Sequence, residues 1–571
     1  MSHLWDKGDV MKKRILIGAE SFEDIIAGDY FYVDKTPFIN ELLDNRGKTT
    51  LITRPRRFGK TLNMSMLEYF FDINMDSASL FDGLKIMEKS DIINRYMNKY
   101  PVVSLTLKNV ELDSYKNSIT RLKSIVSLIY RQNRYLCESG ALDKIQRKKF
   151  KRYWLEKAKA EELQYSLYFL TECLYAHHNK RTIVLVDEYD TPIDTSAREG
   201  YYEDMIKFMR VFLGDVFKSN KFLEFGVLTG IQRISKESLL SSFNNPKISG
   251  IMDKDFPTSF GFTEDEVRSA CETYGLGKKF VEVEEWYNGY RFGGCDIYNP
   301  WSITGFLDNS QFKNYWVNTG GITILQDIFA KGTQGLRDDM AGLMTGTPVK
   351  MKYVEKIKYP IPYKNDDIFW SMLLNTGYIK PCAGSEGDDF YAELVNKEVK
   401  NIFTDCIEGW LSDGEYETPK IIKKFVDCLL NGDAGGVSEI LNKDLLNNPS
   451  CHDFKEENSY HMFIYGILLA VSGDYTVYSN PETGKGRSDC LIKPMDKRKP
   501  AIAIEFKHKT KNNKNLKKEA QIGLSQIEDK AYIHNLKSEG YSNIYKYGIA
   551  FHKKNCEVVM QGINSHGING F

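Results

Sequence analysis

The sequence predicts an α/β protein in three parts: a phosphate-loop domain over residues 1–250, a mixed α/β connector over 251–450 and a smaller α/β domain over 451–571. Three observations carry that expectation. "TTLITRPRRFGKTLNMSMLEYFF" runs strand, loop, helix. "RTIVLVDEYDTPI" is a continuous apolar strand ending in two acids. "GRSDCLIKPMDKRKPAIAIEFKHKT" sets one acid, then an acid and a lysine, on two successive strands. At 571 residues and 42% hydrophobic content, the chain exceeds the ~100–200 residues typical of one domain.

The loop comes first. The pattern G-x-x-x-x-G-K-[ST] asks for glycines at 54 and 59, lysine at 60 and serine or threonine at 61; Gly59, Lys60 and Thr61 comply and Arg54 does not. The positions that comply are the ones that bind. Backbone N–H groups around Gly59 and the following helix N-terminus bind phosphate, Lys60 reaches the β/γ-phosphates, and Thr61 offers a hydroxyl to Mg²⁺. The first glycine mainly eases the turn, and Pro55 after Arg54 favours a rigid, extended approach instead. Thr50–Thr53 are β-formers before the loop, and Leu62, Met66 and Tyr69/Phe70 keep helical spacing after it.

The apolar run Ile183–Val186 ends at Asp187 and Glu188, as a Walker B strand does. In such a site Asp187 orients Mg²⁺ and its water, while Glu188 polarises the water that attacks the γ-phosphate. A third strand, "FLEFGVLTGIQRI", ends at Thr229 and continues to Arg233. Thr229 is a candidate phosphate sensor; Arg233 is either a phosphate contact, in its own chain or a neighbour's, or a surface charge.

The stretches "YFYVDKTPFINELL", "LITRPRRFGKTLNMSMLEYFF", "IVLVDEYDTPI", "LTGIQRISKESLLSSFNN" and "EWYNGYRFGG…IYNPWSI" resemble the bacterial AAA-ATPase-like family that is joined to a C-terminal PD-(D/E)XK nuclease-superfamily domain. The resemblance covers nearly the whole chain, and in that family the loop commonly reads R-P-R-R-F-G-K. It implies an AAA-like fold for the first part. It also implies a nucleotide loop made of Arg54, Pro55, Arg56, Arg57, Phe58, Gly59, Lys60, Thr61 and Leu62, with ATP as the cofactor. In "YVDKT", Thr36 reads as a cap for a helix opening with Pro37, whereas Asp34 and Lys35 stay open between nucleotide and structural roles.

The middle of the chain shows no chemistry of its own. Gly/Pro punctuation at "YNGYRFGG", "YNPWS" and "NTGG" divides aromatic-rich strands and helices, and the resemblance implies a lid-like or winged-helix-like module. Its aromatics pack a core or stack on bases, and packing is favoured.

In the last part, the period of two in "AIAIEFK" puts Glu505 and Lys507 on one strand face, where they can converge with Asp489. This is the spacing of a PD-(D/E)XK core. Asp489 and Glu505 together favour a hard divalent cation, Mg²⁺ or Mn²⁺, and Lys507 then orients the attacking water or stabilises charge on phosphate. The resemblance implies that Glu457, on the helix "EENSYHMFIYGILLAV", and Gln526, in "EAQIGLSQIEDKAY", support this site. Glu482 is a further nearby acid, and His461 reads as structural. The stretch with Lys509, Lys511, Lys514, Lys517 and Lys518 either tracks phosphates or is a solvated loop.

Lysine plus arginine and aspartate plus glutamate both total 77, which excludes a general basic coat and leaves any nucleic-acid surface to be local. The ten cysteines form no C-x-x-C pair and no zinc-ligand spacing, so they read as reduced, mostly packed thiols. The start lacks the apolar core of a secretory signal, and the run at 462–471 falls short of the ~20 residues of a bilayer helix. The expectation is a cytoplasmic, ATP-binding and ATP-hydrolysing protein that controls a metal-dependent nuclease acting on nucleic acid, DNA before RNA, in defence or mobile-element biology. The contrasting reading is a nucleotide-dependent switch or scaffold whose nuclease-like domain binds without cutting. Monomer, dimer and ring all remain open.

Overall fold

The computed structural model describes residues 12–234, 243, 245–316, 325, 333–344, 346–359, 365–382, 387, 389–403, 418–445, 464, 468, 475–479, 482–483, 486–487, 489–508, 515–529, 532–552, 555–564 and 567–569. They fall into two compact units: Met1–Thr319 with Lys350–Glu398, and Gly320–Val349 with Val399–Phe571. The residues expected to form a separate connector are thus shared between the two units.

The first unit is built on a five-stranded parallel sheet of order β2-β3-β4-β1-β5. Its strands are β1 (Thr49–Thr53), β2 (Val102–Thr106), β3 (Thr182–Asp187), β4 (Leu223–Gly230) and β5 (Lys247–Ser249). Every residue of β1 and β3 is buried, which is why these strands read as continuous apolar or β-branched runs and not as alternating ones. Helix α1 (Lys60–Phe71) follows β1 directly. The register pairs Thr53 with Gly230 and Val186 with Leu228, so the C-terminal ends of β1, β3 and β4 lie side by side, where open α/β sheets bind ligands.

Between β2 and β3 the chain inserts α2 (Tyr115–Gln132), α3 (Lys144–Trp154) and α4 (Ser166–His178). Farther on lie α5 (Pro300–Asn309), α6 (Asp366–Thr376) and the antiparallel pair β6 (Ile379–Pro381) and β7 (Asp389–Leu394). Residues 350–398 grip the end of β4: Asn375 donates to Gln232 Oε1 at 2.9 Å, and Ile357 N–H donates to the Arg233 carbonyl at 2.9 Å.

Glu398 is fully buried, accepting hydrogen bonds from the Ser302 hydroxyl (2.7 Å) and the Trp316 N–H (2.8 Å). Burial pushes its carboxyl up to about 7, against a smaller opposing pull from those donors. A folded pKa above the unfolded one means the folded state holds the extra proton between them. The stability Glu398 contributes is therefore complete below about pH 4.5 and lost as pH rises through about 7, a swing of about 3 kcal/mol. Glu398→Gln is expected to flatten this part of the stability–pH curve, read as melting temperature at pH 5 and pH 8; an equal slope in both proteins refutes it. Asp190, raised to about 6 by burial, tilts the curve the same way and remains in the variant.

The second unit has a six-stranded mixed sheet of order β8-β9-β10-β11-β12-β13. Its strands are β8 (Tyr475–Ser479), β9 (Cys490–Pro494), β10 (Ala501–His508), β11 (Ile544–His552), β12 (Asn555–Asn564) and β13 (Gly567–Asn569). Only β10 and β11 pair in parallel, and α9 (Leu516–Asp529) lies between them in sequence, as a parallel crossover requires. Two glycines let this helix touch the sheet main chain: a Cβ on Gly548 would lie 2.0 Å from the Ala520 carbonyl, and one on Gly523 would lie 3.3 Å from the Glu505 carbonyl. Helices α7 (Thr418–Leu430) and α8 (Ala434–Ile440) also belong to this unit, with the Tyr547 hydroxyl donating to the Leu429 carbonyl at 2.8 Å. Among the described residues no helix is long and apolar enough to cross a membrane.

Candidate nucleotide and nuclease sites

The loop after β1 turns on two left-handed residues, Arg57 (φ 69°) and Gly59 (φ 79°). Glycine adopts this without strain, which accounts for Gly59; Arg57 lays its guanidinium over the Trp301 ring, 3.9 Å from the centroid. Phe58 is fully buried with its ring edge-on to Tyr290 and Phe292, so it anchors the loop. The Lys60 ammonium, also buried, donates to the carbonyls of Arg54 (2.9 Å) and Pro55 (2.8 Å), and burial lowers its pKa while Glu188, Asp187 and Asp190 oppose that shift.

Asp187, at the end of β3, joins the end of β4 to the first turn of α1. Its Oδ2 accepts from the Thr61 hydroxyl at 2.6 Å and its Oδ1 from the Thr229 hydroxyl. Glu188 follows at a left-handed φ of 53°, and burial raises its pKa against the pull of Lys60. Lys60, Thr61 and Glu188 line a cavity of about 400 Å³ together with Arg56, Lys108 and Trp301. The hydroxyl of Thr61 and the carboxylate of Asp187 are hard oxygen donors in contact, and cations stand beside them; this set fits a Mg²⁺–nucleotide.

In the second unit, Asp489 Oδ2 accepts from the Phe506 N–H at 2.6 Å, fixing the start of β9 against β10. Glu505 is 2% exposed; Lys507 Nζ lies 3.6 Å from its Oε1 and donates to the Phe506 carbonyl at 2.7 Å. The acid–acid–lysine set is thus gathered on one pair of strands. Among the described residues no group of three or more His, Cys, Asp or Glu is placed to hold a metal; the carboxylate oxygens of Asp489 and Glu505 are donors of the kind that suits Mg²⁺ or Mn²⁺.

Comparison with known families matches residues 16–240 to a family described as predicted AAA-ATPase and residues 455–561 to the PD-(D/E)XK nuclease superfamily. The chain joins an AAA-ATPase-like region to a PD-(D/E)XK nuclease-superfamily region. A curated protein of Azotobacter chroococcum mcd 1, described as an uncharacterized protein in the vnfD 5′ region, is 28% identical over 324 residues, 56% of this chain. The chain spans 57% of the length of that relative.

Not every residue expected at the AAA-ATPase-like site faces its cavity. Of the loop, Arg56, Arg57, Phe58, Gly59, Lys60, Thr61 and Leu62 line it; Arg54 and Pro55 do not. Arg54 is fully buried and donates instead to the carbonyls of Thr53, Ser249, Gly250, Asp255 and Phe256 at 2.9–3.2 Å. Its guanidinium lies over the rings of Phe260 and Phe292, so its side chain is a structural tie and not a phosphate ligand. Asp187 and Thr229 sit behind Thr61, outside the lining. Arg233 is paired with Glu355 and lines a separate cavity with Asp253 and Tyr353, so within its own chain it is neither a phosphate contact nor a plain surface charge.

In "YVDKT", Thr36 does not cap its helix through its side chain; the hydroxyl donates to Asp34 at 2.6 Å, and Asp34 also accepts from Lys85 N–H at 2.8 Å. Lys35 pairs with Glu266 at 2.7 Å while still lining the cavity. Trp301 and Lys108 escaped the sequence reading as site residues. Asn299, which caps α5 by accepting from Trp301 N–H at 2.9 Å, and the end of β2 beside β3 are the signals that point to them.

In the nuclease-superfamily region, Gln526 is one turn beyond Gly523 on the α9 face that rests on Glu505 and Lys507, and its Oε1 is buried without a hydrogen-bond partner among the described residues. Glu457, His461, Lys509, Lys511 and Lys514 lie outside the described residues, and for Glu482 only the backbone pairing with Arg487 is described.

Proposed function

We propose that the chain binds and hydrolyses ATP in the first unit and that the nucleotide state controls metal-dependent phosphodiester cleavage in the second, with DNA favoured over RNA. The observation that carries the first half is the contact of Thr61 with Asp187 at 2.6 Å beside a cavity lined by Lys60 and Glu188. Lys60 and Arg56 neutralise the phosphates, Thr61 and Asp187 hold Mg²⁺, and Glu188 takes up the proton of the attacking water. In the second unit Asp489 and Glu505 hold Mg²⁺ or Mn²⁺, Lys507 orients the water or the scissile phosphate, and Gln526 and Glu457 support them. The bound metal supplies charge neutralisation and a more acidic water.

A cleavage panel of duplex DNA, single-stranded DNA and RNA, with and without ATP, tests this reading. Lys507→Ala is expected to lose cutting by about 100-fold or more while keeping nucleic-acid binding, and Lys60→Ala to lose ATP hydrolysis and any ATP dependence of cutting. Wild type that leaves every substrate intact with Mg²⁺ and Mn²⁺, or Lys507→Ala that cuts as well as wild type, overturns the nuclease half.

The engagement of Asp489 with the Phe506 N–H and of Lys507 with the Phe506 carbonyl favours, as the second reading, a nucleotide switch or scaffold that binds without cutting. Nucleic-acid binding that responds to ATP, in a wild type that never cuts, decides for it. A role in defence or in a mobile element predicts different plaque counts with and without the gene. Arg233 completing a neighbour's site in a homo-oligomer requires Glu355 to release it.

A further inference from the structure

Residues 144–159, "KIQRKKFKRYWLEKAK", hold eight lysines and arginines against one glutamate in a chain whose Lys+Arg and Asp+Glu both total 77. The segment begins with α3, capped by Asp143, whose carboxylate accepts from the N–H groups of Ile145 and Gln146 at 2.7 Å. One face of α3 is fixed: Phe150 and Tyr153 are buried with ring centroids 4.6 and 5.0 Å from Tyr130 on α2, and the Ser127 hydroxyl donates to the Trp154 carbonyl at 2.6 Å. The opposite face carries Lys144, Lys148 and Lys151, spaced i, i+4, i+7, all exposed.

The neighbouring charges divide cleanly. Arg152 pairs with Glu162 at 2.5 Å, Arg131 approaches Glu156 at 3.9 Å, Lys149 lies over the Phe169 ring, and Arg147 Nε donates to the Leu142 carbonyl. Lys144, Lys148 and Lys151 enter no ion pair among the described residues. Keeping three like charges on one rigid helix face has an electrostatic cost and no return within the fold.

We infer that Lys144, Lys148 and Lys151 form a sequence-independent docking face for the phosphate backbone of nucleic acid, on the AAA-ATPase-like unit and outside the lining of its candidate nucleotide cavity. The inference rests on the proposed nucleic-acid function for the choice of polyanion. Charge complementarity supports it: at 1.5 Å per residue the three ammonium groups span about 10 Å, along which one strand of duplex DNA offers about three phosphates. Exposed Ile145 and Leu155 flank this face, which makes an anionic membrane the rival partner.

The test uses the full-length chain carrying Lys507→Ala to suppress cutting, a labelled duplex DNA probe, and titrations at several salt concentrations. Adding Lys144→Ala, Lys148→Ala and Lys151→Ala is expected to weaken binding at least about tenfold and reduce the slope of log K against log salt by about 3. Alanine keeps the helix, checked by circular dichroism, and ATP hydrolysis is expected to be unchanged. Equal affinity and slope in the triple variant overturn the inference. So does lysine-dependent binding to phosphatidylserine vesicles with none to DNA. Cleavage by the chain with Lys507 intact reports on the proposed nuclease separately, so the two readings can fail independently.

Discussion

Arg54→Gly, which restores the glycine of the general phosphate loop, is expected to destabilise the first unit by about 3–5 kcal/mol and not to improve nucleotide binding. The guanidinium is wholly buried, and burial lowers its pKa to about 10 while Asp253, Glu41 and Asp255 hold it up, so it stays charged at neutral pH. Its charge is met by main-chain carbonyls of the 249–256 segment, which lose their donors together when the side chain goes. Each buried acceptor left bare costs about 1–3 kcal/mol, partly relieved by relaxation. Arg54→Lys should fall between the two, because an ammonium has three donors and cannot span the fork. Urea unfolding of the full chain checks this, and a glycine variant with an unchanged first transition rejects it.

Glu188→Gln is expected to lower ATP hydrolysis by about 10²–10³-fold with nucleotide affinity within about twofold of wild type. Glu188 lines the cavity while Asp187 does not, and desolvation raises the pKa of its half-buried carboxyl. The amide keeps size and the Thr191 hydrogen bond, 3.3 Å in the native chain, so a loss of rate reports proton acceptance and not collapse of the turn. Asp187→Asn should differ, because Asp187 accepts from both Thr61 and Thr229 and its loss loosens the tie between β3, β4 and the first turn of α1. Single-turnover hydrolysis alongside equilibrium nucleotide binding separates the two effects; equal rates for Glu188→Gln and wild type remove Glu188 from the mechanism.

The parts legible in the sequence are those written in local period. The uninterrupted apolar run before Asp187 announced a doubly covered parallel strand, and the alternation in "AIAIEFK" put Glu505 and Lys507 on one face. Arg54 was illegible because its partners are carbonyls nearly two hundred residues away, and a carbonyl has no signature in a sequence. Arg233 was placed at the right strand end, yet its partner Glu355 arrives from the 350–398 segment, a tertiary choice that no local pattern encodes. Residues 350–398 of the expected connector likewise fall in the first unit, where Ile357 and Asn375 bond to Arg233 and Gln232 beyond the end of β4.

The glycines Gly523 and Gly548 set α9 directly on β10, which carries Glu505 and Lys507, and on its neighbour β11. Where side chains separate a helix from a sheet, a change of rotamer acts as a shim and the gap can be tuned. Here the gap is set by bare main chain, so helix and strands form one plate without an adjustable spacer, and any push on α9 arrives at Glu505 as displacement and not as repacking.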